Sequence, residues 1–274
     1  MVTTSSALRG EHPLAGDHAA ATPESSWRSW DGWDRLSDLE LPRAGERVVV
    51  VSAHPDDEVL ALGGLLQRLG RHGCELVLVC VTDGEASHPG SPTTTPQELA
   101  ARRPEELARA VARLGHAGAE QLHLHLPDSR VGEHPTELVH RLEPHLAGAT
   151  LVIAPWSGDG HPDHEACGRA VGAAARDLRL VARCVRGVAS TRPLLPVWEY
   201  PVWAWHWARP GSAALPWSRA RVLRLTVDER LAKAAAMACF ETQVRPRSDD
   251  PADAPPVPAD VLAHFTRAHE VVFA

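Results

Sequence analysis

Val48-Val49-Val50-Val51-Ser52-Ala53-His54-Pro55-Asp56-Asp57-Glu58-Val59-Leu60 reads as a strand, a turn and the start of a helix. Four consecutive valines with no polar alternation predict a strand buried on both faces. Val59 to Leu66 supplies the apolar part of a following helix. Between them, three acids and a histidine crowd five residues at a strand-to-helix junction. Such crowding is costly unless something positive neutralises it, and a divalent metal accounts for it most simply. His54 and Asp57, three apart around a turn, can converge on one ion while Asp56 points elsewhere.

Working outward, Glu75–Val81 is a second buried strand, ending at Thr82-Asp83-Gly84-Glu85, with an irregular loop over 86–96. A helix is expected over 97–114, interrupted by Pro104, which either kinks it or shifts its true start. Gln121–Leu126 alternates as a third strand and ends in Pro127-Asp128-Ser129. A helix near 135–146, a strand at Thr150–Ala154 and a small-residue helix over 163–176 follow, the last led by His161-Pro162-Asp163-His164. Alternating strands and helices with continuous apolar strands predict an α/β fold, a mostly parallel sheet covered by helices on both faces. Ligands of such sheets bind outside the carboxyl ends of the strands. His54–Glu58, Asp83–Glu85, Asp128 and His161–His164 all fall there, on one rim.

Bulk properties bound the function. The 274 residues fit one large domain, and the net charge of −7 argues against nucleic acid or an anionic membrane as main partner. No apolar run is long enough to span a bilayer, and no signal-like leader is visible, so a cytoplasmic protein is expected. Five cysteines without paired spacing read as reduced and buried. Residues 1–26 are expected to form a flexible tail, and 27–274 a single domain. Trp27, Trp30 and Trp33, at spacing three, pin its start to the core. Trp203, Trp205 and Trp207, at period two, predict a strand with one aromatic face, suited to edge packing or to stacking on a ring. Another strand over Arg221–Val227, a helix over 228–243, a proline-rich connector over 249–258 and a closing helix and strand over 259–273 complete the reading.

A hydrolytic zinc site takes about three protein ligands and an open position. His54, Asp57 and one histidine of His161-Pro162-Asp163-His164 supply such a set, with His164 able to reach back to the rim. Asp56 is then free as general base, and a protonated His161 could hold an oxyanion. His54-Pro55-Asp56-Asp57-Glu58 together with His161-Pro162-Asp163-His164 resembles the PIG-L/LmbE family of zinc-dependent N-deacetylases, across most of residues 46–245. The resemblance implies a Rossmann-like three-layer fold and one zinc per chain on His54, Asp57 and His164. It also implies Asp56 as base, His161 as electrostatic stabiliser, and an N-acetylated amino sugar or glycoconjugate as substrate. Arg103, Asp128 and Gln243 resemble the family's substrate-contacting positions. Where some mycothiol-pathway members carry a tyrosine two residues before the second motif, this chain has Asp159. Two rivals stand beside this reading: a two-metal phosphoesterase that adds Asp83 or Asp128 as ligands, and a non-catalytic sugar-binding module with a structural metal.

Overall fold

The computed structural model describes residues 21–186 and 195–274, with the valine run in the second of eight strands of one sheet. In chain order the elements begin with helix α1 (Glu24–Arg28), strand β1 (Ser37–Asp38), β2 (Arg47–Ser52), α2 (Asp57–Arg71) and β3 (Glu75–Thr82). Next come α3 (Pro96–Arg113), β4 (Glu120–Leu126), α4 (Pro135–Leu146), β5 (Leu151–Pro155) and α5 (Pro162–Arg186). The chain continues through β6 (Val197–Tyr200), α6 (Ala204–Trp207), β7 (Ala220–Arg224) and α7 (Val227–Met237). It closes with α8 (Glu241–Val244), α9 (Ala259–Ala263) and β8 (His269–Phe273).

The strand order is β1-β7-β8-β6-β5-β2-β3-β4. All neighbours are parallel except at β8, which runs antiparallel to both β6 and β7. The period-two geometry of β2 sends Val48 and Val50 into one core layer with Leu62, Leu65 and Leu107. Val49 and Val51 point into the opposite layer with Leu138, Leu142 and Val171. Both faces are therefore covered, which gives the three-layer α/β architecture. β2 pairs with β3 on one side and β5 on the other, so the chain changes direction across the sheet there. That switch leaves a crevice above the carboxyl ends of β2 and β5, where both histidine motifs emerge.

Several local expectations change. The helix over the Pro104 region runs unbroken from Pro96 to Arg113, started by a capping box in which Thr95 and Glu98 exchange hydrogen bonds. The tryptophan stretch is not a strand: β6 ends at Tyr200, Pro201 follows, and residues 204–207 turn into α6. The reason is Asp159, whose carboxylate accepts the N–H groups of Val202, Trp203 and Ala204 and gathers the backbone into a helical start. The strand over 221–227 stops at Arg224, because Thr226 and Glu229 form a second capping box that opens α7. The helix over 228–243 is split into α7 and α8, with Phe240 off helical geometry between them. Residues 1–20 of the expected tail lie outside the described residues; Thr22 is buried and its N–H donates to the His206 carbonyl. Among the described residues no helix is long and apolar enough to cross a membrane.

Candidate metal centre and active site

The turn after β2 is shaped by Asp57 itself. Its Oδ2 accepts the backbone N–H groups of Ala53 (3.1 Å) and His54 (2.9 Å), which leaves Oδ1 facing across the crevice. From the far side, the first turn of α5 brings His164 Nε2 to 3.3 Å from Asp57 Oδ1 and 3.4 Å from His54 Nδ1. These donor atoms lie within 4.8 Å of one another, an ion-sized cluster.

Each imidazole is oriented from behind. His164 Nδ1 bonds Asp159 Oδ2 at 2.7 Å, and Asp159 is fully buried. His54 Nε2 meets Asp163 Oδ2 at 3.3 Å and Asp128 Oδ1 at 3.2 Å. Histidine metal ligands characteristically give their second nitrogen to a carboxylate in this way. Burial alone lowers a histidine pKa, yet Asp128 drives that of His54 well above the ordinary value, and Asp57 and Asp159 raise His164 to about 9. The cluster thus favours positive charge at this point, and two nitrogens with one carboxylate oxygen form a donor set that suits zinc.

A second donor group, His54, His161 and Asp163, overlaps the first through His54. It fits a cation less well, since both Asp163 oxygens already serve backbone N–H groups, Oδ2 that of Ser129 and Oδ1 that of Val131. His161 Nδ1 also accepts the Asp163 N–H at 3.2 Å.

That last bond corrects one expectation. Burial, with His164 and His54 beside it, pushes the His161 pKa down to about 2. His161 is a neutral imidazole, not the protonated one expected. With Nδ1 accepting, its proton sits on Nε2, so it can still donate one hydrogen bond from Nε2.

Asp56 stands beside the cluster, with Oδ2 receiving Arg103 Nη2 at 3.1 Å. Burial raises the Asp56 pKa, with Arg103 opposing. Arg103, itself buried, also donates Nη1 to the Gly84 carbonyl at 2.8 Å. Gly84 has φ +70°, and a Cβ there would come within 1.9 Å of Arg103 Nη1, so only glycine fits.

Asp56, Arg103, Asp128, His161 and Gln243 line one cavity of about 290 Å³. Asp128 Oδ2 accepts the Ala86 N–H, and Gln243 Nε2 donates to Thr242 Oγ1 and Ser87 Oγ. Glu106 holds α8 in place by accepting both the N–H and the hydroxyl of Thr242. The structure therefore gathers all eight sequence-derived candidates. Asp83 is turned away, bonded to His125 at 2.6 Å.

Two residues that matter had no assigned role from the sequence, Asp159 and Asp163. Asp163 sits inside the second motif, where its spacing could have flagged it. Asp159 looked like an ordinary turn residue.

Residues 49–175 match the PIG-L family model, described as GlcNAc-PI de-N-acetylase, and this stretch contains both motifs. Diacetylchitobiose deacetylase of Thermococcus kodakarensis is 32% identical over 127 residues, covering 45% of this chain and 46% of the relative. A 1D-myo-inositol 2-acetamido-2-deoxy-alpha-D-glucopyranoside deacetylase of Kineococcus radiotolerans is 30% identical over 258 residues, 81% of this chain and 62% of that one. This chain spans about half the length of the curated relatives it matches. N,N'-diacetylchitobiose deacetylase from Pyrococcus horikoshii shares the fold, with a TM-score of 0.53, 20% identity and coverage of 71% and 69%.

Proposed function

We propose that this protein is a metal-dependent amidase that removes the acetyl group from an N-acetylated amino sugar or glycoconjugate. The observation that carries the reading is the meeting of His54 Nδ1, Asp57 Oδ1 and His164 Nε2 beside the carboxylate of Asp56, which is outside the donor set, in a cavity reached from solvent. The names of the relatives point to the same chemistry. His54, Asp57 and His164 would hold a zinc ion, which would supply Lewis acidity toward an acetyl carbonyl and lower the pKa of a bound water.

The chain's own residues perform the rest. Asp56 takes the proton of the attacking water, and its buried, raised pKa makes it a better base than a surface carboxylate. Arg103 fixes the orientation of that carboxylate through one oxygen. The Nε2–H of neutral His161 donates to the oxygen that gains charge as the carbonyl becomes tetrahedral. Asp56 then returns its proton to the departing amine. A two-metal phosphoesterase is the weaker account, since Asp83 is committed to His125.

The test is amine release from a panel of N-acetyl amino sugars by the zinc-loaded protein, with the Asp56→Asn variant beside it. Turnover should fall by about two to four decades in the variant, the scale of general acid–base catalysis, while metal content stays normal. A variant that keeps near-full turnover removes Asp56 from this role.

A further inference from the structure

The cavity is lined by two unlike kinds of side chain. Ser87, Arg103, Asp128, His161 and Gln243 gather its polar groups toward the donor cluster. The same cavity is also lined by Leu60, Val202, Pro256, Val257, Val261 and Phe265, none of which offers a side-chain hydrogen bond. Four of the six come from residues 256–265, beyond the family-matching stretch that ends at 175. This wall is held firmly. The Val257 N–H donates to the Gln243 carbonyl, and Asp253 ties the segment to the hydroxyls of Ser91, Thr93 and Ser248.

A polyhydroxylated group pressed against such a wall would lose water and find no partners for its hydroxyls, which disfavours binding. An apolar group there gains from burial. We propose that the substrate is an amino sugar carrying an apolar aglycone, seated on the wall of residues 256–265 while its N-acetyl group meets the metal donors. This rests on the amidase reading above. The anomeric carbon adjoins the carbon that bears the acetamido group, so an aglycone lies close enough to that group to reach the apolar side chains of the same cavity.

The experiment compares kcat/KM of the zinc-loaded protein for N-acetylglucosamine, hexyl N-acetyl-β-glucosaminide and N-hexanoylglucosamine. Alongside, calorimetry measures binding of hexyl β-glucosaminide, which has no acetyl group to lose. The hexyl N-acetyl glycoside should exceed N-acetylglucosamine by about tenfold or more, through a lower KM. Val257→Thr and Val261→Thr, near-isosteric changes that add a hydroxyl, should each shrink that ratio, with melting temperature reporting that the fold is intact. Equal kcat/KM for the two acetyl compounds overturns the proposal and leaves the amidase reading standing. Preference for N-hexanoylglucosamine also overturns it, because the wall then holds the acyl chain. If nothing is hydrolysed, the amidase reading fails and binding decides: hexyl β-glucosaminide bound, and weakened by Val261→Thr, upholds the apolar subsite, whereas no binding removes it.

Discussion

Asp159 Oδ2 lies 2.7 Å from His164 Nδ1 while the same carboxylate accepts three backbone N–H groups from residues 202–204. One buried side chain therefore orients the His164 imidazole and folds the adjoining wall of the cavity. Replacing Asp159 with Asn puts an amide where one of these bonds needs an oxygen. Metal affinity measured by chelator competition should weaken by about 10- to 100-fold; unchanged affinity would show that His164 orients itself. Gly84 matters for the same reason of fit. In Gly84→Ala the new methyl displaces Arg103 from Asp56, and kcat should fall by about a hundredfold, since a misplacement of this size separates productive from unproductive geometry. At this scale the sequence displays His54, Asp56, Asp57 and His164 openly, because motif spacing follows from local turns. It hides Asp159, whose backbone partners at 202–204 lie more than forty residues away.

Among elements, a buried ion pair joins α7 to β8. Lys233 Nζ meets Glu270 Oε1 at 2.7 Å, and Glu270 also accepts the N–H groups of Gly64 and Leu65 in α2. Burial lowers the Lys233 pKa against the pull of Glu270. Removing one member strands the other charge in the core. Lys233→Ala should thus lower unfolding free energy in urea by about 3–5 kcal/mol, and the double change Lys233→Met with Glu270→Gln should recover part of it. A loss near zero for the single variant would mean that water reaches the site. β2, β3, β5 and α2 were legible because runs of apolar residues have one meaning in a covered sheet. α6 was not. Trp203, Trp205 and Trp207 alternate like a strand, but a distant carboxylate decides their backbone, and no local pattern reports it.

Across the molecule, the N-terminal tryptophans brace the C-terminal segment that lines the cavity. Trp27 packs edge-on against Trp205 with centroids 5.0 Å apart, as the spacing of Trp27, Trp30 and Trp33 suggested for the start of the domain. Arg267 lies over the rings of Trp27, Trp33 and Trp205 and pairs with Glu24 at 2.7 Å. Burial opposes ionisation of Glu24, but the bonds from His264 and Arg267 outweigh it and lower its pKa from 4.5 to about 2. A depressed carboxylate pKa stabilises the fold fully above 4.5, and the gain disappears as pH falls toward 2. The melting-temperature advantage of the native protein over Glu24→Gln should accordingly shrink between pH 4.5 and 2. An advantage that persists unchanged would detach the clamp from Glu24 ionisation. No reading of sequence alone could pair residue 24 with residue 267, because nothing in composition or periodicity carries a contact across the whole chain.

The most direct test of the account is the metal content of purified protein by inductively coupled plasma mass spectrometry. One ion per chain is predicted, falling close to none in His164→Ala and staying at one in Asp56→Asn. A His164→Ala protein that still carries its full complement would contradict the centre described here.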